Sequence, residues 1–88
     1  MKFKEIEKTA VASTVHLTRD QNDTLSNYYQ LGVVSVFYGY RINVTLFDCG
    51  QDFKSLSSLF DAAKKEGMTH VLFDCDGPVI DGFEEYDW

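Results

Sequence analysis

The chain has 88 residues, 44% apolar and 15% aromatic, with a formal net charge of −6. That is sequence for one domain with a core of its own, so a disordered chain and a two-domain protein are both excluded. Phosphates are neutralised by cations, so an acidic chain is not expected to bind DNA or RNA directly.

The charge is unevenly spread. Residues 1–65 carry a net of +1, whereas residues 66–88 carry a net of −7 and contain no lysine or arginine. Such a segment favours basic partners, above all proteins that normally hold nucleic acid. No run approaches the roughly 20 apolar residues of a membrane span. The first ten residues lack the apolar stretch of a signal peptide, so a cytoplasmic protein with no membrane partner is expected. Cys49 and Cys75 fit that compartment. Two cysteines 26 positions apart form neither a disulfide framework nor a CxxC pair, and both read as small buried hydrophobes.

Taken in chain order, residues 6–15 alternate loosely and are rich in Thr and Val, which predicts a first strand. A helix follows, capped by Thr18 with Gln21 three residues later, as in a capping box. Leu17, Leu25, Tyr28, Tyr29 and Leu31 would form its apolar stripe, and Gly32 its stop. Residues 33–38 and 41–47 predict a hairpin with Gly39 at or near the turn, or else one long strand bulged at Gly39. In the second helix, Phe53, Leu56, Leu59, Phe60 and Ala63 fall on one face. Asp52 suits its N-terminus, Lys64 and Lys65 its last turn, and Gly67 its end. Residues 69–74, THVLFD, are nearly continuous in apolar character and predict a strand inside the sheet. An acidic tail, residues 75–88, would fold back on the domain. The order β-α-β-β-α-β predicts an α+β ferredoxin-like sandwich: four antiparallel strands with two helices on one face, both β-α-β units making right-handed crossovers. The other sheet face would need a cover, which a homodimer could supply.

The chemistry turns on VLFDCDGPVIDG, residues 71–82. It resembles the first signature of the haloacid-dehalogenase-like phosphotransferases, Asp-x-Asp-Gly-Thr. In that family the first aspartate attacks phosphorus, the second acts as acid and base, and magnesium holds the phosphate. Asp74, Asp76 and Gly77 match. Pro78 replaces the threonine, and the fourteen residues after Asp74 cannot supply the remaining Ser/Thr, Lys and carboxylates. As a calcium loop the segment fails too, because Gly77 falls at position 4 instead of 6 and Pro78 stiffens position 5. The expectation is therefore structural, with Asp76, Gly77 and Pro78 forming a tight exit from the last strand and the Asp76 side chain bonding nearby N–H groups. No catalytic residue, metal site or cofactor is expected. His16 and His70 read as strand-end or partly buried side chains. Tyr28, Tyr29, Tyr38 and Tyr40 read mostly as core and rim of the sheet.

STVHLT before a helix, YGYRINV, LSSLFDAAKKEG and the closing HVLFDCDGPVIDGFEEYDW together resemble a small bacterial family of unknown function. Its members end in Phe-Asp-x-Asp-Gly-Pro and a final Tyr-Asp/Glu-Trp. Asp74, Asp76, Gly77, Pro78, Tyr86 and Trp88 carry the resemblance. Cys75 stands where that family more often has Arg. The resemblance implies a setting on plasmids, prophages and integrated elements, often beside antirestriction genes. It thereby implies a non-enzymatic inhibitor of a host defence system, antirestriction or anti-CRISPR, that acts as a DNA mimic on a basic, nucleic-acid-binding partner. Asp74, Asp76, Asp81, Glu84, Glu85 and Asp87 would supply the charge, and Tyr86 and Trp88 the anchors. An antitoxin or accessory protein for a basic partner is the alternative, and a metal-dependent phosphohydrolase using Asp74 and Asp76 a lesser one.

Overall fold

Residues 7–87 are described by the computed structural model, in which four strands and two helices form one layer on another. The strands are β1 (Thr9–Ser13), β2 (Val33–Val36), β3 (Gly39–Asn43) and β4 (His70–Asp74). The helices are α1 (Arg19–Asn27) and α2 (Ser57–Lys65). Single 3₁₀ turns, Thr14–His16 and Lys54–Leu56, follow β1 and precede α2.

The sheet runs in the order β1-β4-β3-β2. β4 pairs antiparallel with β3 and parallel with β1, and β2 and β3 form an antiparallel hairpin. This corrects the expectation of a purely antiparallel, ferredoxin-like sheet: the sheet is mixed. β3 and β4 are antiparallel neighbours, so the segment containing α2 is not a crossover. The apolar run of β4 explains its interior place, since His70, Val71 and Phe73 are all buried.

Strand register puts Ala10, Ala12, Val33, Tyr40, Ile42, Val71 and Phe73 on one face. Both helices pack there. Phe60 of α2 meets Phe73 edge-on at 6.1 Å, and Phe47 links Phe60 to Phe53. On α1, Ser26 hydrogen-bonds the Tyr40 hydroxyl, which also donates to Asn22. Phe53, Leu56, Leu59, Phe60 and Ala63 are all buried, as their spacing predicts.

Several boundaries differ from expectation, for local reasons. β1 gives way to a 3₁₀ turn because the Ser13 hydroxyl accepts the Val15 N–H. The Thr18–Gln21 capping box forms, but α1 ends at Asn27 and Tyr28 is already extended. Tyr28, Tyr29 and Leu31 are therefore exposed, and Gly32 ends no helix. The hairpin turns on Phe37 and Tyr38, so Gly39 opens β3. β3 stops at Asn43, whose side chain accepts the Thr45 and Leu46 N–H groups. The second helix has no side-chain cap, and Asp52 lies ahead of it. Both cysteines were expected to be buried, but Cys49 is only half-buried, at the edge of the core, and Cys75 is exposed.

Gly39 is fixed by crowding. A Cβ there would lie 1.7 Å from the Phe73 carbonyl oxygen, which belongs to the central strand and cannot yield. Gly39→Ala is expected to lower the unfolding free energy by about 3 kcal/mol or more, read as a shift in urea midpoint at unchanged slope.

Candidate functional site

After β4 the chain turns sharply. The Asp74 side chain accepts the Asp76 N–H at 2.8 Å, and the Asp74 carbonyl accepts the Gly77 N–H at 2.9 Å. The aspartate that builds the turn is thus Asp74. Gly77 is needed because a Cβ would come within 2.9 Å of the Ala12 carbonyl oxygen as the tail crosses β1. Cys75 N–H bonds the Tyr38 carbonyl, which places Asp74, Cys75 and Asp76 beside the hairpin turn.

The tail then lies along the end of β1 and the 3₁₀ turn. Ser13 N–H donates to the Pro78 carbonyl and Tyr86 N–H to the Val15 carbonyl, both at 2.8 Å. Between these bonds stands His16, 2% exposed. Its Nε2 accepts the Ile80 N–H at 2.9 Å, so the neutral ring carries its proton on Nδ1, which donates to the Glu84 carbonyl at 2.8 Å. Ile80 and Phe83 pack on the core, and Phe83 meets the His16 ring edge-on. The ties from β1, the 3₁₀ turn and His16 to this stretch all go to its backbone, which leaves the carboxylates free of them.

Asp76, Asp81, Glu84, Glu85 and Asp87 are exposed and Asp74 is half-buried. The ion pairs among the described residues are Arg41 with Glu7 and a 3.9 Å approach of His70 to Glu7, so none reaches the tail. Tyr86 is half-buried and its hydroxyl donates to Glu84 at 2.6 Å. That bond, with some burial, raises the phenol pKa above its ordinary 10.0. The stability it adds is complete below pH 10 and fades as pH rises and the phenol ionises. Trp88 lies outside the described residues.

Two acids were not expected beside the tail. Tyr86 borders an open groove of about 350 Å³ that also contains Asp20 and Asp52. Gln21 builds it: its Nε2 donates to the Asp52 carbonyl and to Ser55 Oγ, which ties α1 to the segment before α2. Asp20 lies in the first turn of its helix and Asp52 in the approach to the next. Only the helical packing, which local sequence does not encode, brings them to the same side as Tyr86.

Asp74, Cys75 and Asp76 offer ligand atoms within 4.8 Å of one another, enough to touch a divalent cation. One Asp74 oxygen is committed to the turn, and no lysine or arginine pairs with either carboxylate among the described residues. The two histidines do separate tasks: His70 is buried on β4 beside Thr69, and His16 holds the tail.

These features define a small acidic α+β domain with an ordered C-terminal strap. Its sequence from residue 9 to residue 88 matches the family model described as "Family of unknown function (DUF5983) C-terminal domain", and the chain belongs to that family. No curated protein matches it, and no solved structure does.

Removing the clamp in His16→Ala is expected to cost about 2–4 kcal/mol and to speed amide exchange at Ile80 and Tyr86 well before the sheet opens. Asp74→Asn retains the acceptor and should unfold within about 0.5 kcal/mol of wild type. Asp74→Ala loses the bond and should cost about 1 kcal/mol. Equal loss in both variants would show that the charge, and not the turn, fixes this residue.

Proposed function

We propose that the protein is a non-enzymatic acidic binding module, which acts by occupying the basic, nucleic-acid-binding surface of another protein. The observation that supports this reading most is the strap. Its backbone is tied down by Ser13, Val15 and His16, while five of its six carboxylates between residues 74 and 87 are exposed and none is ion-paired among the described residues. Ordered carboxylates can sit opposite lysines and arginines that otherwise meet phosphates, with less ordering entropy than a flexible acidic tail. Asp20 and Asp52 extend the same negative surface past Tyr86.

The particular form we propose is an inhibitor of a cytoplasmic host defence system, carried on mobile elements, as the resemblance of the closing motif implies. The commitment of Asp74 to its turn weighs against the phosphohydrolase alternative. With magnesium and an aryl phosphate the protein should release no phosphate above the rate of Asp74→Asn.

Affinity capture from the host identifies the partner, and competition with duplex DNA for that partner tests the mode of binding. Protein and DNA should exclude each other, with the complex weakening steeply between low and high salt. Reversing Glu84, Glu85 and Asp87 together to Lys should weaken it by roughly 10- to 100-fold, as expected for three exposed ion pairs, while stability falls by no more than the loss of the Tyr86–Glu84 hydrogen bond. Simultaneous binding of DNA, or affinity indifferent to salt and to the reversal, would refute the proposal.

A further inference from the structure

We infer that the outer edge of β2 pairs with β2 of a second copy of this chain, joining two sheets about a two-fold axis. This goes beyond the proposed function and does not depend on it. β2 ends the strand order, so among the described residues one side of its backbone has no strand neighbour. Exposed edges normally carry lysine, proline or a bulge that discourages pairing. Here residues 24–40 contain no charged residue and no proline. Of the nine exposed large apolar or aromatic side chains among the described residues, six lie in this stretch: Tyr28, Tyr29, Leu31, Val34, Phe37 and Tyr38. The opposite edge is treated differently, because the strap takes the Ser13 N–H of β1.

The register identifies the backbone groups that face outward. Asn43 N–H bonds the Gly32 carbonyl, so Gly32 and Asn43 are a hydrogen-bonded pair. Counting by two, Val34 with Arg41 and Val36 with Gly39 bond inward, which turns the N–H and C=O of Ser35 toward the free edge. Ser35 opposite Ser35 of the second copy exchanges both bonds and sets Val34 against Val36 across the join, a favourable β-branched pair.

Charge selects the occupant. Each copy carries −6, so two copies meet at least cost where neither presents carboxylates. A basic partner would instead gain by docking on the strap. A neutral β-branched edge fits another neutral β-branched edge, and an isologous antiparallel join closes at two copies.

Sedimentation equilibrium of the full chain over roughly a hundredfold range of concentration, reaching about 1 mM, tests this. A monomer–dimer equilibrium is expected that tightens as salt rises, because screening relieves like-charge repulsion. Binding to a basic partner through the strap would respond to salt in the opposite way. Val34→Lys and Ser35→Pro should each weaken the dimer at least tenfold, the second without touching the bonds between β2 and β3. Far-UV circular dichroism checks their fold, and in wild type the Ser35 amide should gain protection from exchange as concentration rises. A chain that stays monomeric throughout, pairs only with a foreign strand, or dimerises with Ser35 unprotected overturns the inference.

Discussion

The strap depends on one buried imidazole. His16 sits at the end of a 3₁₀ turn with almost no solvent contact, and its two ring nitrogens meet two backbone groups of the tail, the Ile80 N–H and the Glu84 carbonyl. A neutral histidine can donate from one nitrogen and accept at the other, and here both capacities are used within one stretch of chain. Lysine has no acceptor and a carboxylate no donor, so neither could replace it. With its backbone held between Pro78 and Tyr86, the tail turns Ile80 and Phe83 inward and its acids outward. The separation of charge from core that governs the surface follows from that clamp.

The mixed sheet makes the clamp possible. Because β4 lies between β1 and β3, the chain leaves the sheet next to β1 and has only to cross it to reach the 3₁₀ turn and His16. Gly77 permits the crossing over Ala12, and Asp74 provides the turn into it. The segment that resembles a catalytic signature is thus explained as a chain reversal. Asp74 is held by a backbone N–H and Asp76 points to solvent, so the pair is arranged for a turn and for surface charge.

What could be read from sequence was whatever local chemistry determines. Thr18 and Gln21 announced their capping box, the spacing from Phe53 to Ala63 announced a buried helix face, and the unbroken apolar run of β4 announced an interior strand. The failures have a common origin in long-range pairing. Whether β4 runs parallel to β1 is decided by partners some sixty residues apart, and no window of sequence contains both. Tyr28, Tyr29 and Leu31 kept helical spacing with Leu25, but helix formation stopped at Asn27 and left them outside. His16 read as a strand-end or partly buried side chain; its bonds to residues 64 and 68 positions away were invisible. The acids of the strap were legible as composition, whereas Asp20 and Asp52 joined them only through packing.

Strap and β2 edge divide the surface by chemistry. One is ordered, negative and suited to cations, and the other is neutral, β-branched and suited to its own kind. Both rest on the clamp and the strand order that together set which groups face water. The most direct test of that arrangement is the tautomer of His16, read by long-range proton–nitrogen correlation NMR on the nitrogen-labelled protein at neutral pH. The account predicts a neutral ring with the proton on Nδ1 and an acceptor signature at Nε2. A proton on Nε2, or two nitrogens averaged by fast exchange, would mean that the imidazole does not hold the tail and that the strap is not a fixed surface.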